Sequence, residues 1–211
     1  MKNKPFYIFL VVVVFVATVS WSQTALSKTQ QDELKTTVQK QAAKTRTIQS
    51  DFEQVKHIDM LDNEVTSKGM LAFVAPDNIL WQYKTPNDYK VVFKEEMLFV
   101  NNEGRKEEIK LSGNRLFRSF NALIVNSIKG DMFDEDQFEI AYFMQNNNYL
   151  VQFFPKEKRL KRFIASFELL FEKTSGQVIQ VKLIEPNADY TTITFSNRKT
   201  NIDIPAKAFE M

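Results

Sequence analysis

The sequence contains no cysteine and a single histidine, His57. The first absence excludes a disulfide framework, a thiol nucleophile, a cysteine-ligated metal and a lipid anchor on cysteine. The second excludes any site that needs two histidines, and with it the usual zinc hydrolases. Glycine is scarce, 5 in 211 residues, and no Gly-x-Ser-x-Gly elbow, phosphate loop or dinucleotide fingerprint is present. Net charge is nearly missing too: 28 Lys+Arg face 26 Asp+Glu. Two of those bases, Lys2 and Lys4, lie in residues 1–22, which hold no acid. The remainder is neutral, which disfavours a uniformly basic, nucleic-acid-binding protein. Phenylalanine is what the chain has in excess, 19 Phe against 2 Trp and 6 Tyr. Those rings must line something.

Residues 1–22 have the organisation of a cleaved secretory signal peptide. Lys2 and Lys4 form its positive start, Ile8–Val19 is an uncharged apolar run, and Ser20 and Ser22 offer small residues for cleavage before Gln23. A membrane span needs about 20 apolar residues; this run is shorter and leads into the polar stretch SQTALSKTQQ. With no lipid-bearing cysteine, the mature chain is expected to be soluble in an exported compartment. Residues 23–211 suit one domain, because no Pro/Gly/Ser-rich linker or internal repeat divides them.

Ser27–Lys44 reads as a helix, with Ser27 or Thr29 as N-cap and Asp32 and Glu33 in its first turn. Its apolar stripe, Leu34, Val38 and Ala42, is thin and predicts a surface helix. From Thr47 the period changes to alternation, and strands are predicted over 47–58, 66–75, 78–84, 88–94, 97–102 and 105–112. A second group covers 138–145, 148–154, 164–173, 177–185 and 189–196. Short connections between them imply an antiparallel meander. Asn114–Lys129 interrupts the rhythm, with Leu116, Phe117, Phe120, Leu123, Ile124 and Ile128 at helical spacing and Gly130 as stop. Asp131–Gln137 is expected to add a helical turn. The resulting fold class is α+β: a single curved antiparallel sheet of about 11 strands, a half-open β-barrel, covered by helices.

Few residues carry chemistry. His57 has the setting of a strand or hairpin histidine rather than a catalytic base. Glu95/Glu96 and Glu107/Glu108 are adjacent pairs that a strand points to opposite faces, so they do not form a glycosidase-type dyad. Asp131, Asp134 and Asp136 lack the register of a calcium loop. No catalytic residue, metal or cofactor is expected. Lys156–Arg162 is a basic run whose plain reading is a solvated turn and whose alternative is a partner or anionic-lipid contact.

Gly69-Met70-Leu71-Ala72-Phe73-Val74-Ala75-Pro76, followed by Ile79-Leu80-Trp81-Gln82-Tyr83 and Thr85-Pro86, resembles the periplasmic LolA-type outer-membrane lipoprotein carrier family. Ile48–Gln54, Gly176-Gln177-Val178, Thr191–Asn197, Ile204-Pro205 and Phe209 extend the likeness over nearly all of Ser27–Met211. The resemblance implies a soluble periplasmic carrier that binds the acyl chains of lipoproteins in an apolar cavity and moves them from the inner to the outer membrane. It implies as partners acylated lipoproteins, an inner-membrane ABC-type lipoprotein-releasing transporter and an outer-membrane acceptor, with the carrier a monomer. On this reading Phe52, Leu71, Phe73, Ile79, Trp81, Tyr83, Val91, Phe93 and Leu98 form the cavity wall, and Leu116, Phe117, Phe120, Leu123 and Ile124 the lid. Phe73→Glu is accordingly expected to stop loading without unfolding. Ala75 stands where the family commonly has an arginine that bonds toward the lid, so closure must rest on another residue or on apolar contact. The alternative is a similar-fold module that binds or senses another lipid, or regulates a membrane partner.

Overall fold

Alternation from Thr47 onward commits most of the chain to strands, and the turns between them fix an antiparallel order. A computed structural model describes residues 23–60, 64–111, 125–126 and 128–211. Its strands are β1 (Thr24–Ala25), β2 (Thr47–His57), β3 (Val65–Val74), β4 (Asn78–Thr85), β5 (Tyr89–Lys94), β6 (Met97–Asn102) and β7 (Arg105–Lys110). They continue with β8 (Phe138–Gln145), β9 (Asn148–Pro155), β10 (Ser166–Phe171), β11 (Val178–Ile184) and β12 (Tyr190–Thr200). All 12 belong to one antiparallel sheet in the order β1-β8-β9-β10-β11-β12-β2-β3-β4-β5-β6-β7. The sheet is open: β1 and β7 are its edges, and it does not close into a barrel. Two meanders, β2 to β7 and β8 to β12, are thus joined where the last strand pairs with the second. That seam sets Phe195 opposite Phe52, Ile193 opposite Gln54 and Thr191 opposite Lys56.

Several connections are two-residue turns with positive φ at both central positions, the geometry that matches strand twist. They are Glu95-Glu96 (φ 52 and 61), which are turn residues rather than neighbours on a strand, Glu103-Gly104 (52 and 94) and Asn146-Asn147 (48 and 62). Gly69, in the middle of β3, answers a different need. A Cβ there would sit 2.1 Å from the Gln82 carbonyl oxygen and 2.7 Å from Cζ of Phe52. The Phe52 ring therefore lies over a gap that only glycine leaves, beside the register shift at Lys68/Gly69.

Helix α1 (Lys28–Lys44) starts on a capping box in which Ser27 accepts from the Gln30 N–H and the Gln30 side chain accepts from the Ser27 N–H. Asp32 and Glu33 fall beyond its first turn. The expectation of a surface helix needs correction: Leu34 and Val38 are 1% and 4% exposed and enter a core on β8–β10. The stripe is thin because the sheet supplies the bulk. Phe153 stacks on Phe167 at 4.5 Å, and Phe138 meets both edge-on at 6.0 and 5.3 Å. A second core on the same face of β2–β6 gathers Ile48, Phe52, Phe73, Ile79, Trp81 and Phe93 with Leu111 and Val125. The opposite face is covered at Ala72, Leu80 and Val92 by the C-terminal tail through Phe209.

Two further details differ from the expected fold. The two-residue β1 raises the strand number above eleven; it pairs only with β8 and is too short to show periodicity. Asp131–Gln137 is coil and a turn rather than a helical turn. The Asp134 carboxylate accepts from the Asp136 and Gln137 N–H groups, which compete with helix formation and, with the Gln137 side chain, hold its pKa below the usual carboxylate range. Lys156–Arg162 ends in a short 3₁₀ turn, Leu160–Arg162, as a solvated turn would. Among the described residues no helix is long and apolar enough to cross a membrane.

Candidate functional site

A cavity of about 520 Å³ opens between helix α1 and the middle of the sheet. Its position follows from register. Even residues of β2 share one face with odd residues of β3 to β5 and with their partners on β10 to β12. Among the described residues this face has open space where the two cores part company. The β3–β5 wall carries Leu71, Trp81, Tyr83, Val91 and Phe93, joined by Tyr89. Cross-strand pairing aligns them: Leu71 opposes Trp81, Trp81 opposes Val91 and Tyr83 opposes Tyr89. The other wall comes from β10 to β12, where Leu169 opposes Val181 and Val181 opposes Ile193, with Leu183 and Phe195 beside them. Val38, Gln41 and Ala42 of α1 and its C-cap Thr45 form the roof together with Ile128, which belongs to the helical residues 128–129.

Five of the nine residues expected in the wall thus line the cavity. The other four do not. Phe52, Phe73, Ile79 and Leu98 are 3%, 2%, 0% and 3% exposed and belong to the core around it. They lie on the same sheet face as Trp81, but Leu111 and Val125 pack in the same cluster and leave them no free surface. Phe52 acts from behind, meeting Trp81 and Tyr83 edge-on at 5.0 Å each. The expected lid residues Leu116, Phe117, Phe120, Leu123 and Ile124 lie outside the described residues. The phenylalanine excess goes chiefly to packing. Among the described residues eight Phe are buried, and of these only Phe93 and Phe167 reach the cavity, where half-buried Phe195 joins them.

Polar groups sit toward the two ends of the cavity. At one, Tyr83 donates its hydroxyl to Gln54 Oε1 at 3.0 Å, and burial raises the Tyr83 pKa, so it remains a neutral phenol. Lys56 lies at the same end and pairs with Glu185 at 3.5 Å. At the other, Arg198 donates from Nη2 to the Val178 carbonyl at 2.8 Å, near Gln41, Gln177 and Thr200. Among the described residues the lining includes no Asp, Glu, His or Ser; its titratable groups are Lys56, Tyr83, Tyr89 and Arg198. His57 stacks on Tyr190 at 4.7 Å outside that lining. The arrangement can bury an apolar chain and hold a polar group at each end. Ala75 holds its place through the backbone, its N–H donating to the Arg46 carbonyl at 2.8 Å.

Residues 43–211 match the family model described as outer membrane lipoprotein carrier protein LolA. No curated protein matches the sequence. Among solved structures, the chain is similar to a DUF1329 family protein from Desulfovibrio piger, with 13% identity, a TM-score of 0.51, and 89% of this chain and 98% of that one covered. It is also similar to a conserved protein from Thermus thermophilus, with 7% identity, a TM-score of 0.52, and coverage of 86% and 93%. A LolA superfamily protein from Nitrosomonas europaea aligns over 85% of this chain and 97% of its own at 8% identity, with a TM-score of 0.45. At such identities the first two likenesses are of fold alone.

Proposed function

Because the chain belongs to the LolA family of outer membrane lipoprotein carrier proteins over residues 43–211, we propose that it is a periplasmic carrier that shelters the acyl chains of lipoproteins in this cavity. The observation that supports this most is the cavity itself: an opening of about 520 Å³ between two cores, walled by Leu71, Trp81, Val91, Val181, Ile193 and Phe195. Exposing an acyl chain to water costs about 0.8 kcal/mol per CH₂, so a chain of roughly sixteen carbons costs about 12 kcal/mol. Unaided crossing of an aqueous compartment is prohibitive at that cost, and a sheltering surface removes most of it. The cavity falls within the roughly 300–1,000 Å³ range of pockets for small ligands. An inner-membrane ABC-type transporter would load it and an outer-membrane acceptor would empty it, the carrier acting as a monomer without catalysis. The wall assignment narrows to Leu71, Trp81, Tyr83, Val91 and Phe93, with Val181, Leu183, Ile193 and Phe195 added. The other expected wall residues support it from the core.

The test is what the protein carries. The chain, exported with its own signal sequence and purified without detergent, is extracted and its lipid identified by mass spectrometry. A triacylated peptide in stoichiometric amount is the expected result. A free lipid instead would favour the module that binds another lipid, and an empty cavity that refuses triacylated peptide would remove the carrier reading.

A further inference from the structure

Two cations line the cavity among the described residues, Lys56 and Arg198. Lys56 has its counter-ion, Glu185. Arg198 has none: among the described residues no carboxylate comes within ion-pair distance of it. Glu172 exerts a charge on it from farther away but accepts a hydrogen bond from Ser175 Oγ at 2.5 Å. Burial lowers the Arg198 pKa, yet a guanidinium starts so high that it stays protonated at neutral pH. Of its five N–H donors, one makes a hydrogen bond among the described residues, to the Val178 carbonyl. A desolvated cation without an anion is costly, and a charge-assisted bond to an oxyanion would offset that cost.

The backbone aims this side chain at the cavity. Between Ser196, opposite Asp51, and Lys199, opposite Gln49, β12 holds one residue more than β2, and Asn197 has φ 51. Strict alternation would place Arg198 on the face opposite Phe195. The extra residue returns it to the cavity face, which is a common use of a β-bulge beside a site. From there an aromatic row leads across the floor. The Arg198 Cζ is 5.7 Å from the Phe195 ring, Phe195 is 6.1 Å from Trp81, and Tyr83 is 5.8 Å from Tyr89, with Phe52 bridging Trp81 and Tyr83 from beneath.

Resting on the reading that the cavity holds acyl chains, we propose that Arg198 is a head-group anchor through which the cavity also takes free acyl chains that end in an oxyanion, a carboxylate or a phosphate, beside the neutral chains of a lipoprotein, which bind without it. The head group meets the guanidinium beside Gln177 and Thr200, and the tail lies along Phe195 and Trp81 toward Tyr89. A neutral ester gains the apolar contacts but not the ion pair.

The experiment titrates cis-parinaric acid and its methyl ester, at pH 8, into the mature chain and its Arg198→Met and Arg198→Lys variants, following fluorescence. The wild type should bind the acid at least tenfold more tightly than the ester. Arg198→Met should keep ester affinity and lose the acid preference, and Arg198→Lys should keep part of it. Competition by palmitate and by 1-palmitoyl-glycerol 3-phosphate then identifies the better oxyanion. Equal binding of acid and ester by the wild type would overturn the anchor while leaving the cavity reading intact. Equal weakening of both ligands in Arg198→Met would overturn it as well, assigning the side chain to the Val178 bond. Binding of neither ligand by the wild type would overturn the cavity reading and the anchor together.

Discussion

Ile193→Glu is expected to abolish acyl-chain loading while the protein stays folded. Ile193 lies in β12 at the seam of the two meanders, opposite Val181 on one side and Gln54 on the other. It is half-buried and lines the cavity, so a carboxylate there remains in contact with solvent as long as no ligand enters. Loading would force that carboxylate out of water against an apolar chain, and an unpaired charge in such a place costs several kcal/mol. Loss of about 2.7 kcal/mol already corresponds to a hundredfold drop in affinity, and a larger drop is expected here. Fluorescence titration with an acyl probe gives the affinity, and thermal unfolding followed by circular dichroism reports the fold. Binding within threefold of the wild type, in a folded variant, would mean that acyl chains bind elsewhere.

Phe73→Glu should do the opposite and unfold the protein, contrary to what the sequence leads one to expect. Phe73 is 2% exposed and is paired with Ile48 on β2 and Ile79 on β4, both within the same core. Removing a buried phenylalanine costs about 3–5 kcal/mol, and an unpaired buried charge adds several more. Against a total stability of about 5–15 kcal/mol for a typical domain, little remains. The variant should be insoluble or lack a cooperative thermal transition, whereas Phe73→Leu should fold and still take up the probe. A folded Phe73→Glu chain that fails to bind would place Phe73 in the wall after all.

The contrast between those two positions shows what could be read in advance. Alternation in Ile79-Leu80-Trp81-Gln82-Tyr83 reveals which side chains share a sheet face, because the period of a strand is two. It does not reveal depth along that face, which depends on whether Leu111 and Val125 or an open space lies opposite. The wall on β11 and β12 stayed hidden for a related reason. Val181, Ile193 and Phe195 reach the cavity through pairing of β12 with β2, strands separated by most of the chain. Local pattern carries no trace of such a seam. The turns were legible because Asn146-Asn147 and Glu103-Gly104 announce positive φ. Arg198 was not, since the bulge that turns it inward overrides the alternation by which its face would be assigned. Helix α1 is legible from its cap but its depth is not, as two residues, Leu34 and Val38, suffice against a sheet so rich in phenylalanine.

The central claim is that an acyl chain occupies the space between α1 and the seam of the sheet. Photolabelling tests it most directly: a fatty acid bearing a diazirine near the end of its chain is bound, irradiated, and its adducts mapped by peptide mass spectrometry. Adducts at Trp81, Val181, Ile193 or Phe195, competed away by unlabelled palmitate and absent in Ile193→Glu, are the predicted result. Labelling confined to the opposite face of the sheet, around Phe99 and Phe209, or labelling that palmitate does not displace, would contradict it.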